Sequence, residues 1–393
     1  MINIRHISFY LFLFLLTFLL FPLFSVSQLQ KEFINRDTTD LTLGTKINPY
    51  EVEYDTTAKL TFSGYFDTYY AYYTDSINPN GFCKFPTSAP RNNQVGINII
   101  QLSVKYESNN FRGVATVFGG DCPQSSWSSH LNFIQEANAG FRIVKKLWVD
   151  AGFFRTHFGL ESIQPRENVT MSTSIVNCFE PYFLSGLKLT WQQSSKFLFQ
   201  LHAFNSFNQF IETNKNKALG FSLVYSPTSK ITATLSSIVS DESPDHQNYD
   251  QTYCYNDFLL TYKSNKWILG FEANYGLRTN SVLSDSTKTA FVFSNMVLAK
   301  YRITPKWAMY SRAEIFSDPN EILTGQFLDQ NNQLIGLDIL GGTVGFEYKP
   351  ISNSYFRIES RYLQSKKSES IFYYNDASQN YRLEFIVGLG LWF

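Results

Sequence analysis

Charged side chains stand at alternate positions near the end of the chain. In the stretch FRIESRY, Arg357, Glu359 and Arg361 are each separated by one residue. Successive side chains of a β-strand point to opposite faces, so these three charges share one face. The same spacing occurs in two further pairs, Arg312 with Glu314 and Arg382 with Glu384. We expect a ladder in which these charges pair across neighbouring strands, with a dedicated anion site as the alternative.

A second group of charges lies in the polar segment LESIQPRENVTMSTSIVN, residues 160–177. Its charged members are Glu161, Arg166 and Glu167. If the segment turns inward, it opposes the basic residues Arg357, Arg361 and Arg382. Separated acidic and basic groups would then create a transverse field that orients polar solutes at a constriction. The alternative is a solvated outer loop whose charges are incidental.

Groups that could perform catalysis are sparse. The only serine–histidine candidates are Ser206 with His202 or His157, and such proximity in sequence is a common coincidence. Neither GxSxG, which positions a nucleophilic serine, nor HExxH, which binds a catalytic zinc ion, occurs in the chain. We therefore predict that the protein is not an enzyme.

The four cysteines, Cys83, Cys122, Cys178 and Cys254, indicate no metal centre. None has CxxC spacing and none lies at ligand spacing from a histidine, so we expect neither a metal ion nor another cofactor. Export from the cytosol would allow the thiols to oxidise. Four cysteines permit three pairings, and the sequence does not choose among them.

The elements that position these side chains are strands with a period of two. In YRLEFIVGLGLWF, residues 381–393, Leu389, Leu391 and Phe393 share one face, and two glycines lie on the other. The same alternation recurs from Leu60 onward in segments of roughly ten to fifteen residues. One face of each segment is apolar, and the other is polar and often charged.

The connections alternate between short turns and long loops. Short turns are predicted at residues 107–110, 142–146, 192–196, 226–230, 263–266, 302–306 and 349–354. Longer polar loops are predicted at residues 74–93, 120–131, 160–176, 208–216, 241–251, 280–288, 318–333 and 365–379. These connections imply about sixteen strands, an even number with short periplasmic turns and long outer loops. The fold class is therefore all-β, a transmembrane antiparallel β-barrel.

The charges on alternate strand positions favour a barrel over a soluble sandwich or propeller. They recur on other segments as well, at Glu136, Asp150, Lys188 and Glu272. Because an unpaired charge in a dry core costs several kcal/mol, we expect a water-filled interior that solvates them. A closed barrel also pairs every backbone polar group within the bilayer.

The ends of the chain fit this architecture. Residues 1–27 combine Arg5 and His6 with an apolar run and small residues, as in a cleaved secretory signal peptide; an uncleaved membrane anchor is the alternative. Residues 28–58 are polar and irregular and predict a flexible periplasmic leader before a barrel of residues 59–393. The terminal aromatic Phe393 resembles the assembly signal that the barrel-assembly machinery reads.

The composition supports a barrel and excludes other classes. Aromatic and charged residues each make up 17% of the chain, which includes 37 Phe and 24 Tyr. This aromatic content suits half-buried strands and interfacial girdles, whereas the mean hydropathy of −0.18 is too low for a helical membrane protein. A formal net charge of zero gives no sign of nucleic-acid binding.

Six stretches together resemble the β-barrel porins of the OmpL-like group in Gram-negative outer membranes. They are NFIQEANAGFRIVKKLWVDAGFFRTHFGLES (132–162), ENVTMSTSIVNCFEPYFLSGLKLTW (167–191), QLHAFNSFNQFIETNKNKALG (200–220), YNDF (255–258), ITPKWAMYSRAEIFSDP (303–319) and FRIESRY (356–362). The resemblance covers nearly all of the chain after residue 61 and implies an outer-membrane porin. The resemblance implies no particular substrate and no catalytic residues.

We therefore predict a passive diffusion channel for small hydrophilic solutes. The alternative is an occluded barrel with a structural or binding role. The implied partners are outer-membrane lipid and the barrel-assembly machinery, and the sequence leaves self-association open. A globular plug of the TonB-dependent type has no room before the barrel.

Overall fold

The computed structural model describes residues 39–41, 58–75, 81–85, 88–127, 131–207, 214–241, 243, 251–325, 334–366, 370–375 and 377–393. The predicted signal peptide lies outside these residues. So does the predicted leader, except for residues 39–41 and 58. Both therefore stay predictions.

Sixteen long strands make up the fold. They are β1 Lys59–Tyr73, β2 Gln94–Glu107, β3 Phe111–Gly119, β4 Ile134–Val144, β5 Leu147–Arg155, β6 Phe183–Trp191, β7 Phe197–Phe204, β8 Ala218–Tyr225, β9 Ile231–Asp241, β10 Thr252–Lys263, β11 Trp267–Arg278, β12 Ala290–Arg302, β13 Trp307–Asp318, β14 Leu337–Tyr348, β15 Ser354–Ser365 and β16 Tyr381–Trp392.

Each strand pairs antiparallel with the next, and β16 pairs with β1, so the sheet closes into a barrel. The predicted fold class and strand number are confirmed. The short strand Thr39–Leu41 pairs with the start of β1. The strand bounds leave the turns and loops between them where the sequence predicts, although parts of six of the long loops lie outside the described residues. The third long loop extends further, over residues 156–182.

The alternation of side chains explains why these segments are strands. Along β13, Met309 and Ile315 are 46% and 39% exposed, whereas Arg312 between them is 2% exposed. Residues paired across strands share a face, and Thr343 pairs with both Arg312 and Arg361. The exposed face is thus apolar and suited to lipid, and the charged ladder faces the interior.

The barrel interior is packed, because the third long loop folds into it. We call residues 156–182 the inserted segment. Phe158 and Ile175 join one buried apolar cluster with wall residues of β10 and β12. Ile163 and Met171 join a second cluster with Tyr355 and other aromatics of the wall. Two short 3-10 helices, Pro165–Glu167 and Val176–Cys178, lie within the inserted segment.

Two of the other loops contain smaller elements. The helix Asp121–Ser126 connects β3 to β4, and a small hairpin of Phe372–Tyr374 and Ala377–Gln379 precedes β16. No helix within the described part of the chain is long and apolar enough to cross a membrane. None of the four cysteines forms a disulfide with another.

The C-terminal residue completes the closing seam. The Phe393 N–H donates to the Gly64 carbonyl at 3.2 Å, and the Gly64 N–H donates to the Phe393 carbonyl at 3.1 Å. The Phe393 ring is 59% exposed. It covers Gly64 so closely that a Cβ there would lie 2.5 Å from the ring carbons. The last residue therefore extends the β16–β1 ladder.

We expect deletion of Phe393 to reduce barrel assembly severalfold, because it removes two seam hydrogen bonds and the ring. Phe393→Ala should have a smaller effect, since it keeps the backbone pair. The measurement is the fraction of protein with heat-modifiable mobility in outer-membrane preparations. Assembly of the deletion variant at the wild-type level would contradict the seam role.

Candidate functional site: the inserted segment and the charged wall

The buried backbone of the inserted segment takes its hydrogen bonds from charged side chains of the wall. Arg312 on β13 donates to Glu161 Oε1 at 2.8 Å, to Thr170 Oγ1 at 3.0 Å and to Ser172 O at 2.7 Å. Its other terminal nitrogen donates to Thr173 O at 3.1 Å. A single guanidinium, which offers five donors in a fixed fork, thus ties four residues of the segment to the wall.

A second arginine binds the preceding turn of the segment. Arg357 on β15 donates to the carbonyls of Pro165 and Thr170, each at 2.8 Å, and of Asn168 at 3.0 Å. Its Nε donates to Glu347 Oε2 at 2.8 Å. Glu347 is therefore the counter-ion of Arg357, a role that its position in the sequence does not reveal.

Two wall carboxylates accept the N–H groups of the same segment. Glu359 accepts from Met171 N at 2.6 Å and from Ser172 N at 2.9 Å, and Glu314 accepts from Ile175 N at 2.6 Å. Hydrogen bonds to ionised groups are shorter and stronger than neutral ones. Arg312, Glu314, Arg357 and Glu359 together form what we call the clamp.

The predicted ladder of charges is present next to the clamp. Arg361 Nη2 lies 2.7 Å from Glu314 Oε1, and its Nη1 lies 3.7 Å from Glu384 Oε2. Arg382 in turn donates to Glu384 Oε1 at 2.5 Å and reaches Asp75 at 3.4 Å. Opposite charges therefore alternate from β13 to β16, and these contacts indicate pairing rather than a dedicated anion site.

The expectation that water solvates these charges is wrong. Eight of the predicted residues are between 1 and 7% exposed: Glu161, Arg312, Glu314, Arg357, Glu359, Arg361, Arg382 and Glu384. They are tolerated because each has an opposite charge or a backbone group as a partner, which offsets much of the cost of burial. Water was the partner expected from the sequence, whereas the backbone of the inserted segment is a partner that the sequence did not predict.

The remaining two predicted residues, Arg166 and Glu167, are partly exposed. Arg155 of β5 donates to both carboxylate oxygens of Glu167, at 3.3 and 2.5 Å. Arg166 lies over the Tyr65 ring, 4.8 Å from its centroid. The sequence hypothesis set the segment's charges opposite Arg357, Arg361 and Arg382 across a constriction. The acids of the segment have other partners, since Glu161 pairs with Arg312 and Glu167 with Arg155, and the transverse field stays a prediction.

The wall from β3 to β7 is less completely covered than the clamp. Five of its inward-facing polar residues are partly exposed, Arg112, Glu136, Asn138, Lys188 and Gln200, whereas Thr116, Asp150, Thr190 and His202 on the same strands are buried. Their inward direction follows from the register, in which Lys188 pairs with both Asp150 and His202. Both signs of charge occur there, and Lys188 lies 4.2 Å from the centroid of the Phe154 ring.

One cluster of buried carboxylates was not predicted from the sequence, although Glu272 was named there as an interior charge. Glu180 of the inserted segment meets Asp257 of β10 and Glu272 of β11, and one oxygen of each lies within 4.8 Å of the others. Burial and the neighbouring Asp257 raise the pKa of Glu180 well above its usual range. Because these residues are distant in sequence, no motif could have revealed them.

The serine–histidine candidates do not form a catalytic pair. Both His202 and Ser206 are buried. Within the described part of the chain, the Ser206 hydroxyl and both ring nitrogens of His202 have no hydrogen-bond partner. The ring centroids of His157 and His202 lie 4.1 Å apart, and the His202 ring stacks on the Phe204 ring. A nucleophile needs a hydrogen-bonded base, which this arrangement lacks.

The closed barrel, its lipid-facing exterior and its charged interior agree with a comparison against protein families. Residues 59–393 match the family model described as "Putative beta-barrel porin-2, OmpL-like". The chain belongs to this porin family. It is therefore an outer-membrane channel protein of a Gram-negative bacterium, as the resemblance implied. No curated protein matches the chain.

Solved structures share the fold at low identity. The anion-selective porin of Comamonas acidovorans superposes with a TM-score of 0.59 at 9% identity, covering 86% of this chain and 100% of that one. The outer membrane channel DcaP of Acinetobacter baumannii gives 0.57 at 10%, covering 86% and 99%. The trimer form of Vibrio cholerae OmpT gives 0.55 at 10%, covering 86% and 100%.

We expect Arg312→Met to release the inserted segment, because it leaves Glu161 buried without its counter-ion. Breaking a buried pair in this way costs about 3–5 kcal/mol. Chemical unfolding in lipid vesicles and tryptic cleavage at Arg166 would measure the effect.

The matched control is Arg302→Met, which removes an exposed arginine at the end of β12. A surface change of this kind stays within about 0.5 kcal/mol. Equal effects of the two variants on unfolding and on cleavage at Arg166 would contradict the clamp.

Proposed function

We propose that the barrel is a passive diffusion channel for small hydrophilic solutes, narrowed by the inserted segment. The observation that carries this proposal is the asymmetry of the interior. The clamp holds the segment against β13 and β15, whereas Arg112, Glu136, Lys188 and Gln200 on β3–β7 keep partial exposure. The route for solutes follows these partly exposed side chains and passes beside the Arg155–Glu167 pair that joins the segment to this wall.

The charges along this route favour weak selectivity. Arg112 and Lys188 are balanced by Glu136 and Asp150 on neighbouring strands, and Arg155 pairs with Glu167 at the segment. A field of mixed sign orients polar solutes without excluding either sign of ion. The porin of Comamonas acidovorans differs in this respect, because it is anion-selective.

An occluded barrel is the second candidate function. It is favoured by the burial of the clamp and ladder, since interior charges in a wide channel would be solvated rather than almost fully covered. In this case the barrel would serve a structural or binding role. The two proposals differ in one measurable property, which is whether the isolated barrel conducts ions.

The partners follow from the architecture. We propose that the protein has no catalytic role, because the serine–histidine candidates Ser206 and His202 lack the hydrogen bond that joins a nucleophile to its base in the described part of the chain. Outer-membrane lipid surrounds the apolar exterior, and the barrel-assembly machinery reads the terminal strand with Phe393. The trimer form of a similar barrel supports self-association as a further proposal.

Reconstitution tests the proposed function. We expect discrete conductance steps in planar bilayers, with weak ion selectivity, and swelling of proteoliposomes that slows as the test sugar becomes larger. A barrel that is folded by the criterion of heat-modifiable mobility, but neither conducts nor allows swelling, would contradict diffusion and favour the occluded barrel.

Cysteine modification tests the route. In a background with the four native cysteines changed to serine, a charged, water-soluble thiol reagent should lower the conductance of Gln200→Cys, because this position is inward and partly exposed. Leu201→Cys is the matched control, since Leu201 faces outward on the same strand and is 53% exposed. A conducting Gln200→Cys channel that the reagent leaves unchanged would place the route elsewhere.

A further inference from the structure

Three carboxylates inside the barrel have no cationic partner. Glu180, Asp257 and Glu272 are 2%, 0% and 1% exposed, respectively. In the part of the chain that the structure describes, none of them forms an ion pair. Glu314, Glu347 and Glu384 of the clamp and ladder region, by contrast, each have an arginine as a partner. Three ionised groups buried together without a counter-charge repel each other strongly.

Neutral donors satisfy only part of this cluster. Asp257 accepts from the backbone N–H of Gly159 at 2.9 Å, Glu272 accepts from that of Leu160 at 2.9 Å, and Glu180 accepts from the Tyr255 hydroxyl at 2.7 Å. The second oxygens, Glu180 Oε2 and Glu272 Oε1, have no hydrogen-bond partner among the residues that the structure describes. Two buried oxygens are therefore available to a ligand.

Asn274 provides independent support for a ligand. It is 4% exposed, and its Nδ2 donates to Glu180 Oε1 at 2.7 Å and to Asp257 Oδ1 at 3.3 Å, so the amide lies within the cluster. Its carbonyl oxygen, Oδ1, accepts no hydrogen bond from any described residue. A buried amide oxygen left without a donor is costly, and carbonyl oxygens are regular calcium ligands.

We propose that Glu180, Asp257 and Glu272, with the side-chain oxygen of Asn274, hold a calcium ion. Calcium takes six to eight oxygen ligands at about 2.3–2.6 Å. Ligand oxygens on opposite sides of the ion are then roughly 5 Å apart, in agreement with the 4.8 Å limit within which the carboxylate oxygens lie. A divalent cation would balance the acidic cluster and use the oxygens that lack partners.

This ion would anchor both ends of the inserted segment. Gly159 and Leu160, at its start, bond to Asp257 and Glu272 through their N–H groups, and Glu180, near its end, contributes a ligand. The clamp fastens the middle of the segment to β13 and β15, whereas the ion fastens its ends to β10 and β11. The calcium site is thus a second attachment, distinct from the ion-paired wall.

Terbium luminescence tests the site on the full-length protein purified in detergent and stripped with EDTA. Tb³⁺ replaces Ca²⁺ in oxygen sites, and the Tyr255 ring next to Glu180 would sensitise its emission. We expect saturable emission that Ca²⁺ displaces. Glu180→Gln and Asp257→Asn should each weaken Ca²⁺ binding by about tenfold or more, in the range found for changes close to a metal.

Asp121→Asn is the matched control, because Asp121 is a buried carboxylate that pairs with Arg91 outside the cluster; it should retain wild-type affinity. Calorimetric titration of the wild-type protein with Ca²⁺ avoids any dependence on how the variants fold. No binding in that titration, or equal affinity in the cluster and control variants, would overturn the proposal. These readouts do not involve conductance, so a silent barrel that binds Ca²⁺ would contradict the proposed channel alone.

Discussion

A backbone segment placed inside a barrel must find hydrogen-bond partners there, and the charged wall supplies them. The carbonyls of residues 165–173 bind Arg312 and Arg357, and the N–H groups of residues 171–175 bind Glu359 and Glu314. Buried main-chain groups are almost always paired in native proteins. Without these four side chains the segment would carry several unpaired groups, so its inserted position depends on the clamp.

The same requirement arranges the rest of the interior. The clamp charges on β13 and β15 are continued by further ion pairs. Arg361 lies between Glu314 of the clamp and Glu384 of β16 and pairs with both. Small residues then permit close contact: a Cβ at Gly388 would lie 2.5 Å from the side chain of Met171. The segment thereby fills the side of the barrel next to β13 and β15, and we propose that solutes move along the partly exposed polar side chains of β3–β7.

The sequence predicted the barrel well because its signals are local. Alternating residues such as those of β16, and turns of a few residues, need no knowledge of distant contacts. Which wall charges face inward also followed from alternation. Their partners did not: Glu161 and Arg312 are far apart in the chain, and backbone groups carry no sequence signal. The cluster of Glu180, Asp257 and Glu272 was invisible for the same reason, since three separate elements bring it together.

We propose that the inserted segment occupies the interior and sets the width of the passage. The single-channel conductance of a barrel in which residues 160–177 are replaced by a short glycine–serine linker tests this, compared with the wild-type barrel under the same salt and voltage. We expect a clearly larger conductance for the shortened barrel, because its interior is then open to water. Equal conductance of two correctly folded barrels would contradict the proposed position of the segment.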